Sequence, residues 1–427
     1  MAVEPQTFAG RATWQHFYDH EPSFDVLSLE EADRKLIESN DAKDDHMKIG
    51  TPTHTKVLAT SQPCEDTVVK GRIEGANCTY EVLAIFDGHA GWALSWKMRK
   101  EMIPWLAKYL GSNDASDIES DGVVASIKEA FTSYDKHIHD EAIKALDLVH
   151  NKDVNALARG WAAMAPVNAG SCALVCVYDT KQSILYTAVV GDSRAILLRP
   201  QDGRRQNSPY LVNTLSVDQN GYNAAETERV RSEHQEEDPI EDKKPYRTLG
   251  IMVTRAFGDH RYKLSQELVK SMEKKLKGFA PIEKALTPPY LKAEPEVSVT
   301  KIQKGDILVM ASDGLWDYMT NEGAAQCMQK WMKHFASSPV QDPGMILPQR
   351  AGDTINRPFE FETNNDDDSC WKFESESIVA EDDNAAMSLI RNAIGGSRRE
   401  LFTAVMSVPA PLRRNVVDDI SVHVAFF

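Results

Sequence analysis

Aspartate recurs beside predicted β-strands, and this recurrence constrains the fold more than any other feature of the sequence. A short apolar run of strand-forming residues that adjoins an aspartate predicts a buried strand with a carboxylate held rigidly at its end. The four cases are Asp87 after residues 80–86, Asp192 after residues 184–190, Asp313 after residues 307–312 and Asp418 before residues 420–426. A single Asp-Gly pair would be ordinary turn chemistry, but four strand-end aspartates predict a carboxylate metal centre at the rim of a sheet.

The donor set predicts hard divalent cations at this rim. Carboxylates, a backbone carbonyl and water suit Mg²⁺ or Mn²⁺, whereas zinc favours histidine and cysteine. Gly88 has no Cβ, so the backbone can approach an ion closely and present its carbonyl oxygen. Two ions about 3.5–4 Å apart can bridge a water, lower its pKa and clamp a phosphoryl group. His89, the next residue, can carry a proton near neutral pH.

Six short motifs resemble, in this order, those of the metal-dependent type-2C serine/threonine protein phosphatases. They are Glu65-Asp66, Asp87-Gly88-His89-Ala90-Gly91, Gly191-Asp192-Ser193-Arg194, Thr254-Arg255-Ala256-Phe257-Gly258-Asp259, Ser312-Asp313-Gly314-Leu315-Trp316-Asp317 and Asp418-Asp419-Ile420-Ser421. Any one motif is weak, but the ordered set is very specific, and it covers residues 55–427. Two longer stretches, residues 215–220 and 287–297, are similar to the branch of mitochondrial pyruvate dehydrogenase phosphatases.

The resemblance implies an α+β fold, a four-layer α-β-β-α sandwich with two antiparallel β-sheets flanked by helices, and the predicted elements fit it. We expect an N-terminal extension with one short helix over residues 1–50 and a type-2C phosphatase catalytic domain over residues 51–427. Insertions are expected near residues 260–292 and 339–381. Apolar spacing also predicts helix throughout residues 383–402.

The resemblance implies that two Mg²⁺ or Mn²⁺ ions are bound, with Asp87 bridging them. The implied ligands are Asp66, Asp87, the Gly88 carbonyl, Asp313 and Asp418. His89 would be the general acid that protonates the leaving serine or threonine oxygen. The implied reaction is direct attack of a metal-bridged hydroxide on phosphoserine or phosphothreonine, without a phosphoenzyme.

Supporting roles follow from the same resemblance. Glu65 would accept hydrogen bonds from metal-bound waters and orient them. Asp192 would either help to hold a third, weaker ion or fasten its own turn. Asp259 would lie near the metals or serve the architecture of the fold. Arg194 and Arg255 are expected to form ion pairs inside the fold rather than contact substrate.

One position departs from the family pattern. The family commonly has an arginine four residues before the Glu-Asp pair, where it grips the substrate phosphate through two hydrogen bonds. This position is Ser61 here. A hydroxyl cannot supply the charge, so either another cation replaces the arginine or the metals alone hold the phosphate. The pyruvate dehydrogenase phosphatase branch also lacks this arginine.

Composition limits the partners. A net charge of −16 argues against nucleic acid, whose backbone would be repelled, and no apolar run is long enough to span a bilayer. Six cysteines without a C-x-x-C pair or zinc spacing favour reduced thiols in a reducing compartment. We expect a monomer whose substrate is a phosphorylated protein.

A locally basic segment over residues 263–277 has two interpretations. Its apolar residues at helical spacing are Leu264, Leu268, Met272 and Leu276. The simpler interpretation is a helix packed on the body with its lysines in solvent. The other is a docking surface for a phosphoprotein or a multienzyme complex.

The resemblance places the protein in the mitochondrial matrix, acting on a metabolic enzyme such as pyruvate dehydrogenase. The N-terminal residues lack the Arg-rich, acid-poor character of a transit peptide, so no presequence is recognisable and a cytosolic signalling phosphatase stays open. A catalytically dead regulatory member of the same fold is a further alternative, which only the missing arginine supports.

Overall fold

The structure is a computed structural model that describes residues 26–39, 49–75, 78–111, 120–149, 154–201, 209–241, 244–335 and 371–427. Two five-stranded antiparallel sheets dominate these residues. In spatial order, the first sheet contains β1 (Thr53–Leu58), β15 (Ile420–Phe426), β14 (Ile307–Ala311), β8 (Arg194–Pro200) and β9 (Tyr210–Thr214). The second contains β13 (Glu296–Lys301), β7 (Ile184–Val190), β6 (Ala173–Asp179), β3 (Thr79–Phe86) and β2 (Thr67–Glu74).

Two small sheets complete the strand inventory of the described residues. A three-stranded sheet has the order β12 (Phe257–Gly258), β5 (Gly170–Ser171) and β4 (Gly88–His89). A two-stranded sheet pairs β10 (Ile240–Glu241) with β11 (Lys244–Thr248). The three-stranded sheet matters for function, because β4 begins directly after Asp87.

Helices cover the outer face of each large sheet. Those packed on the first sheet are α1 (Leu29–Glu38), α9 (Asn321–Phe335), α10 (Ala385–Ala393) and α11 (Arg399–Ser407). Those packed on the second are α2 (Ala93–Leu110), α3 (Ser120–Asp147), α4 (Val154–Asn168) and α7 (Gln266–Lys275). The others are α5 (Ala224–Glu233), α6 (His260–Lys263) and α8 (Asp313–Trp316). No helix among the described residues combines the length and apolar character that a membrane crossing requires.

Three hydrophobic cores separate four layers. The central core lies between the sheets and contains Ile85 and Leu174 of the second sheet against Leu197 and Met310 of the first. The two outer cores lie between each sheet and its helices. Both faces of each sheet are therefore buried, which explains why a central strand such as β3 is almost continuously apolar. The predicted four-layer α-β-β-α sandwich is confirmed.

The single helix predicted over residues 383–402 is wrong. The structure has two helices, α10 and α11, with Gly395 and Gly396 between them at φ values of 135° and 60°. A Cβ at Gly396 would lie 2.2 Å from the carbonyl oxygen of Ser377. The two glycines therefore permit a break that an ordinary residue would resist, and each half keeps its own apolar face.

The short helix predicted in the N-terminal extension is α1, and it packs tightly on the body. Ala32 and Leu36 are fully buried in the core beneath the first sheet. Asp33 accepts a hydrogen bond from the buried guanidinium of Arg391 at 2.7 Å, and Asp382 binds the same guanidinium.

The domain boundary at residue 51 stays a prediction. Residues 1–25 and 40–48 of the extension, and residues 339–370 of the second predicted insertion, lie outside the described residues.

Candidate functional site

The aspartates predicted to meet do so in one cleft. The cleft has a volume of about 1070 Å³, and its lining includes Asp87, His89, Asp192, Asp313 and Asp418. Asp87 follows a strand of the second sheet, whereas Asp313 and Asp418 flank strands of the first. The chain crosses from β7 to β8 at Asp192 and so changes sheet there. The cleft therefore lies where the two sheets meet.

The carboxylates are close enough to share cations. Asp87, Asp192 and Asp313 each offer an oxygen, and these three oxygens lie within 4.8 Å of one another. Asp87 Oδ2 and Asp313 Oδ1 are buried and have no hydrogen-bond partner among the described residues. A buried anionic oxygen without a donor is costly unless a cation compensates it. The residues present therefore fit divalent cations.

Gly88 fits the predicted close approach of the backbone. A Cβ at this position would lie 2.4 Å from the carbonyl oxygen of Glu65, so only glycine is accommodated. The pairing of β4 with β5 holds Gly88 opposite Ser171, and the Cys172 amide donates to the Asp87 carbonyl at 2.8 Å. These backbone contacts fix the Asp87–Gly88 turn at the cleft.

Burial and mutual repulsion perturb the acids strongly. Burial, followed by the nearby Asp313, Asp66 and Asp418 carboxylates, raises the pKa of Asp87 well above its usual range. Burial likewise raises the pKa of Asp66 and of Asp418. These raised pKa values mean that full ionisation of the cluster costs free energy in the folded protein.

Asp192 is held by donors of its own as well as by the cluster. Its two carboxylate oxygens accept hydrogen bonds from the Cys172 thiol and the Asn220 amide, each at 3.3 Å. Burial and the neighbouring Asp313 raise the pKa of Asp192 to about 7. The geometry is compatible with both predicted roles, the fastening of a turn and the binding of a cation.

Asp259 contacts His89 directly. His89 Nε2 lies 2.7 Å from Asp259 Oδ2, and Asp259 is buried in a left-handed conformation with φ of 53°. Burial opposes protonation of His89, but the Asp259 carboxylate outweighs it and raises the pKa of the imidazole. The site thus contains a histidine that is held in place and favoured in its charged form.

Ser61 binds Asp419, the residue after the cleft residue Asp418. Asp419 accepts hydrogen bonds from the Ser61 hydroxyl and amide, the Thr60 amide and hydroxyl, and the Glu65 amide. Burial opposes ionisation of Asp419, but these bonds outweigh it and hold its pKa below the usual value. Asp419 therefore organises the loop that leads to Glu65 and Asp66, a role that the sequence analysis missed.

Arg414 and Asp317 are further cleft residues that the sequence analysis missed. Arg414 Nη1 lies 2.6 Å from Asp418 Oδ2. Desolvation within the cleft, followed by the nearby Asp313 and Asp192 carboxylates, raises the pKa of Asp317 to about 8. Asp317 ends the motif that begins at Ser312, and Arg414 lies four residues before Asp418. Both signals were present in the sequence but were given no role.

Arg194 and Arg255 form the ion pairs predicted for them. Arg194 binds both carboxylate oxygens of Asp218 and also donates to Asn321 at 3.0 Å. Arg255 donates to both carboxylate oxygens of Glu226, at 2.6 and 3.1 Å. These bonds leave both guanidinium groups engaged within the protein.

In the metal-free protein, we expect Asp87→Asn to increase the free energy of unfolding at about pH 8, because the amide removes a buried charge. Raised pKa values mean that the folded state binds more protons than the unfolded chain, so the acids destabilise the fold most at high pH. This penalty fades as the pH falls and the acids become protonated. The stabilisation by Asp87→Asn should therefore shrink towards about pH 5.5, as urea unfolding in chelator would measure.

Asp238→Asn is the matched control, because the Asp238 side chain is 62% exposed. It should change stability little at either pH. If Asp87→Asn destabilised the metal-free protein at both pH values, the carboxylate would be a structural element rather than a source of repulsion.

Comparisons with known proteins agree with the geometry. Residues 54–345 match the family model "Protein phosphatase 2C". A protein phosphatase 2C homolog of Schizosaccharomyces pombe is 34% identical over 383 residues, which cover 87% of this chain and 79% of that protein. The mitochondrial pyruvate dehydrogenase (acetyl-transferring) phosphatase 1 of Saccharomyces cerevisiae is 34% identical over 365 residues, covering 80% of this chain and 61% of that protein. The protein of that name from Bos taurus is 27% identical over 486 residues, covering 97% and 84%. The chain belongs to the protein phosphatase 2C family of metal-dependent serine/threonine protein phosphatases.

Proposed function

We propose that this phosphatase hydrolyses phosphoserine and phosphothreonine in the cleft lined by Asp87. The buried oxygens of Asp87 and Asp313, which lack donors among the described residues, are the observation that carries this proposal. The residues that would hold two Mg²⁺ or Mn²⁺ ions are Asp66, Asp87, the Gly88 carbonyl, Asp313 and Asp418, and Asp192 would help to hold a third. When bound, such ions activate water and neutralise the charge of the phosphoryl group.

The other residues of the cleft have complementary tasks. His89 would donate a proton to the leaving oxygen of the substrate, and Asp259, which contacts Nε2, would orient the ring. Glu65 is partly buried close to His89 and Arg414, where its carboxylate can orient water. Since these residues accompany a full set of acidic ligands, a catalytically dead regulatory protein is the weaker alternative.

Hydrolysis of a phosphothreonine peptide should require Mg²⁺ or Mn²⁺ and stop when a chelator is added. Asp87→Asn and Asp313→Asn should abolish turnover while leaving the fold intact, because each removes a buried carboxylate from the metal centre. Peptide hydrolysis and circular dichroism measure the two effects, with Asp238→Asn as an active control. Turnover without metal, or a trapped phosphoenzyme, would refute the mechanism.

For His89→Ala we expect a loss of about 10²–10⁴-fold on alkyl phosphoesters, which is typical of a missing general acid. The loss should be small on p-nitrophenyl phosphate, because this leaving group departs without a proton. Steady-state kinetics on the two substrates with the same enzyme preparation make the comparison. Equal losses on both would exclude His89 as the proton donor.

We infer that the substrate is a phosphorylated metabolic enzyme of the mitochondrial matrix such as pyruvate dehydrogenase. Two of the relatives are named as mitochondrial pyruvate dehydrogenase phosphatases, and Ser61 stands where this branch also lacks arginine. The Schizosaccharomyces pombe relative carries no compartment in its name, so a cytosolic signalling phosphatase is the alternative. Localisation of a tagged full-length protein distinguishes the two.

Helix α7 is our candidate for docking on a large substrate. Its apolar residues Val269 and Met272 pack on the body, whereas its Lys270 and Lys274 are exposed, as is Lys277 two residues beyond its end. Contacts to a short phosphopeptide give little selectivity, so a remote surface would supply binding energy that depends on the intact partner.

The triple variant Lys270→Glu, Lys274→Glu and Lys277→Glu should weaken activity on the intact phosphorylated pyruvate dehydrogenase complex, because it reverses the charge of this surface. Activity on short phosphopeptides should be unchanged. Lys275 is left in place because it pairs with Asp147 at 2.8 Å. Replacing the same three lysines by arginine keeps the charge and is the control. Unchanged activity of the glutamate variant on the complex would reject the docking surface.

A further inference from the structure

The family commonly has a phosphate-gripping arginine at the position of Ser61, and a hydroxyl cannot supply its charge. The Ser61 hydroxyl donates to the Asp419 carboxylate, so it is already engaged within the protein. We propose that Arg414 binds the phosphate group of the substrate in place of that arginine. The inference rests on the proposed function, because it concerns the same cleft and the same reaction.

The turn that carries Arg414 lies against the loop that carries Ser61. Residues Leu412–Asn415 form a short 3₁₀ turn. Its Arg413 is buried and donates to the Ala59 carbonyl at 3.2 Å, two residues before Ser61. Arg413 also donates to the carbonyls of Val408 and Met406. These bonds anchor the turn beside the loop that carries Ser61, and Arg414 lines the cleft from this turn.

The charge of Arg414 faces the proposed reaction centre. Beyond its ion pair with Asp418, the guanidinium interacts electrostatically with Asp313 and Asp87. Its side chain is 41% exposed, so a ligand in the cleft can reach it. Apart from the Asp418 contact, the donors of the guanidinium have no partner among the described residues.

The other cations of the cleft are less suited to this task. In the described part of the chain, the cleft is also lined by Arg194, Arg247 and Lys372. Arg194 is held by Asp218 and Asn321. Arg247 donates to the Gly250 carbonyl at 3.0 Å. Lys372 donates to the Asp317 carbonyl at 2.9 Å and lacks the planar fork that matches two phosphate oxygens.

A guanidinium beside carboxylates could have a different purpose, the neutralisation of Asp418. The two roles predict different effects on phosphate affinity, and neither role predicts a loss of metal affinity. Removal of a neutralising cation leaves the carboxylates more negative, so Mn²⁺ binding would become tighter and phosphate binding would not change. Removal of a phosphate ligand weakens phosphate binding while Mn²⁺ binding is undiminished.

The test compares Arg414→Gln with the wild type. The inhibition constant of inorganic phosphate and the KM of a phosphothreonine peptide should both rise about tenfold to a hundredfold at saturating Mn²⁺, which is the range for a lost charged hydrogen bond. Calorimetric titration with Mn²⁺ alone should show an affinity equal to or higher than that of the wild type. Arg414→Lys keeps the charge without the fork and should give an intermediate loss; it also serves if the glutamine variant fails to fold.

Lys372→Gln is the matched control, because it removes another exposed cation from the same cleft. It should leave phosphate inhibition within about twofold of the wild type. An equal loss in this control would show a general effect of charge and would overturn the proposal, as would unchanged phosphate inhibition in Arg414→Gln or a loss of Mn²⁺ binding in that variant. A wild type that is inactive with Mn²⁺ would instead reject the proposed function itself.

Discussion

Repulsion between the buried carboxylates where the two sheets meet destabilises the fold, and the rest of the structure must offset it. Burial raises the pKa of Asp66, Asp87 and Asp418, which means that their charged forms oppose folding. The acids are nevertheless held in place, because each adjoins a strand or a turn whose backbone is paired. The three hydrophobic cores supply the stabilisation that the site lacks. Both sheets contribute acids to this site, so its support comes from the whole sandwich.

The strand-end aspartates could be predicted because their signal is local. A buried strand leaves an apolar run, and the carboxylate follows it directly, as at Asp87 and Asp313. The break at Gly395 and Gly396 was also visible as a Gly-Gly pair, but the apolar spacing on both sides concealed it. The contact between His89 and Asp259 joins residues 170 positions apart, and no local pattern encodes such a distance.

Two further contacts of the cleft also could not be predicted, because they depend on the tertiary structure. Arg414 lies in a turn with little regular structure before it, so no periodicity predicted the direction of its side chain. Asp419 illustrates the same limit. It organises the site by accepting hydrogen bonds from amides and hydroxyls of a loop more than 350 positions away. Residue types therefore revealed which chemistry was present, whereas the fold determined which groups could cooperate.

The contacts of Asp419 also explain how a serine at position 61 can be accommodated. The Ser61 hydroxyl adds a donor to Asp419, whose carboxylate joins the loop before β2 to the start of β15. Arg413 joins the same loop to the turn before Asp418 through the Ala59 carbonyl. An arginine at position 61 would remove this hydroxyl from Asp419. Serine therefore keeps the loop joined to Asp419, while Arg413 holds the same loop against the turn that carries Arg414.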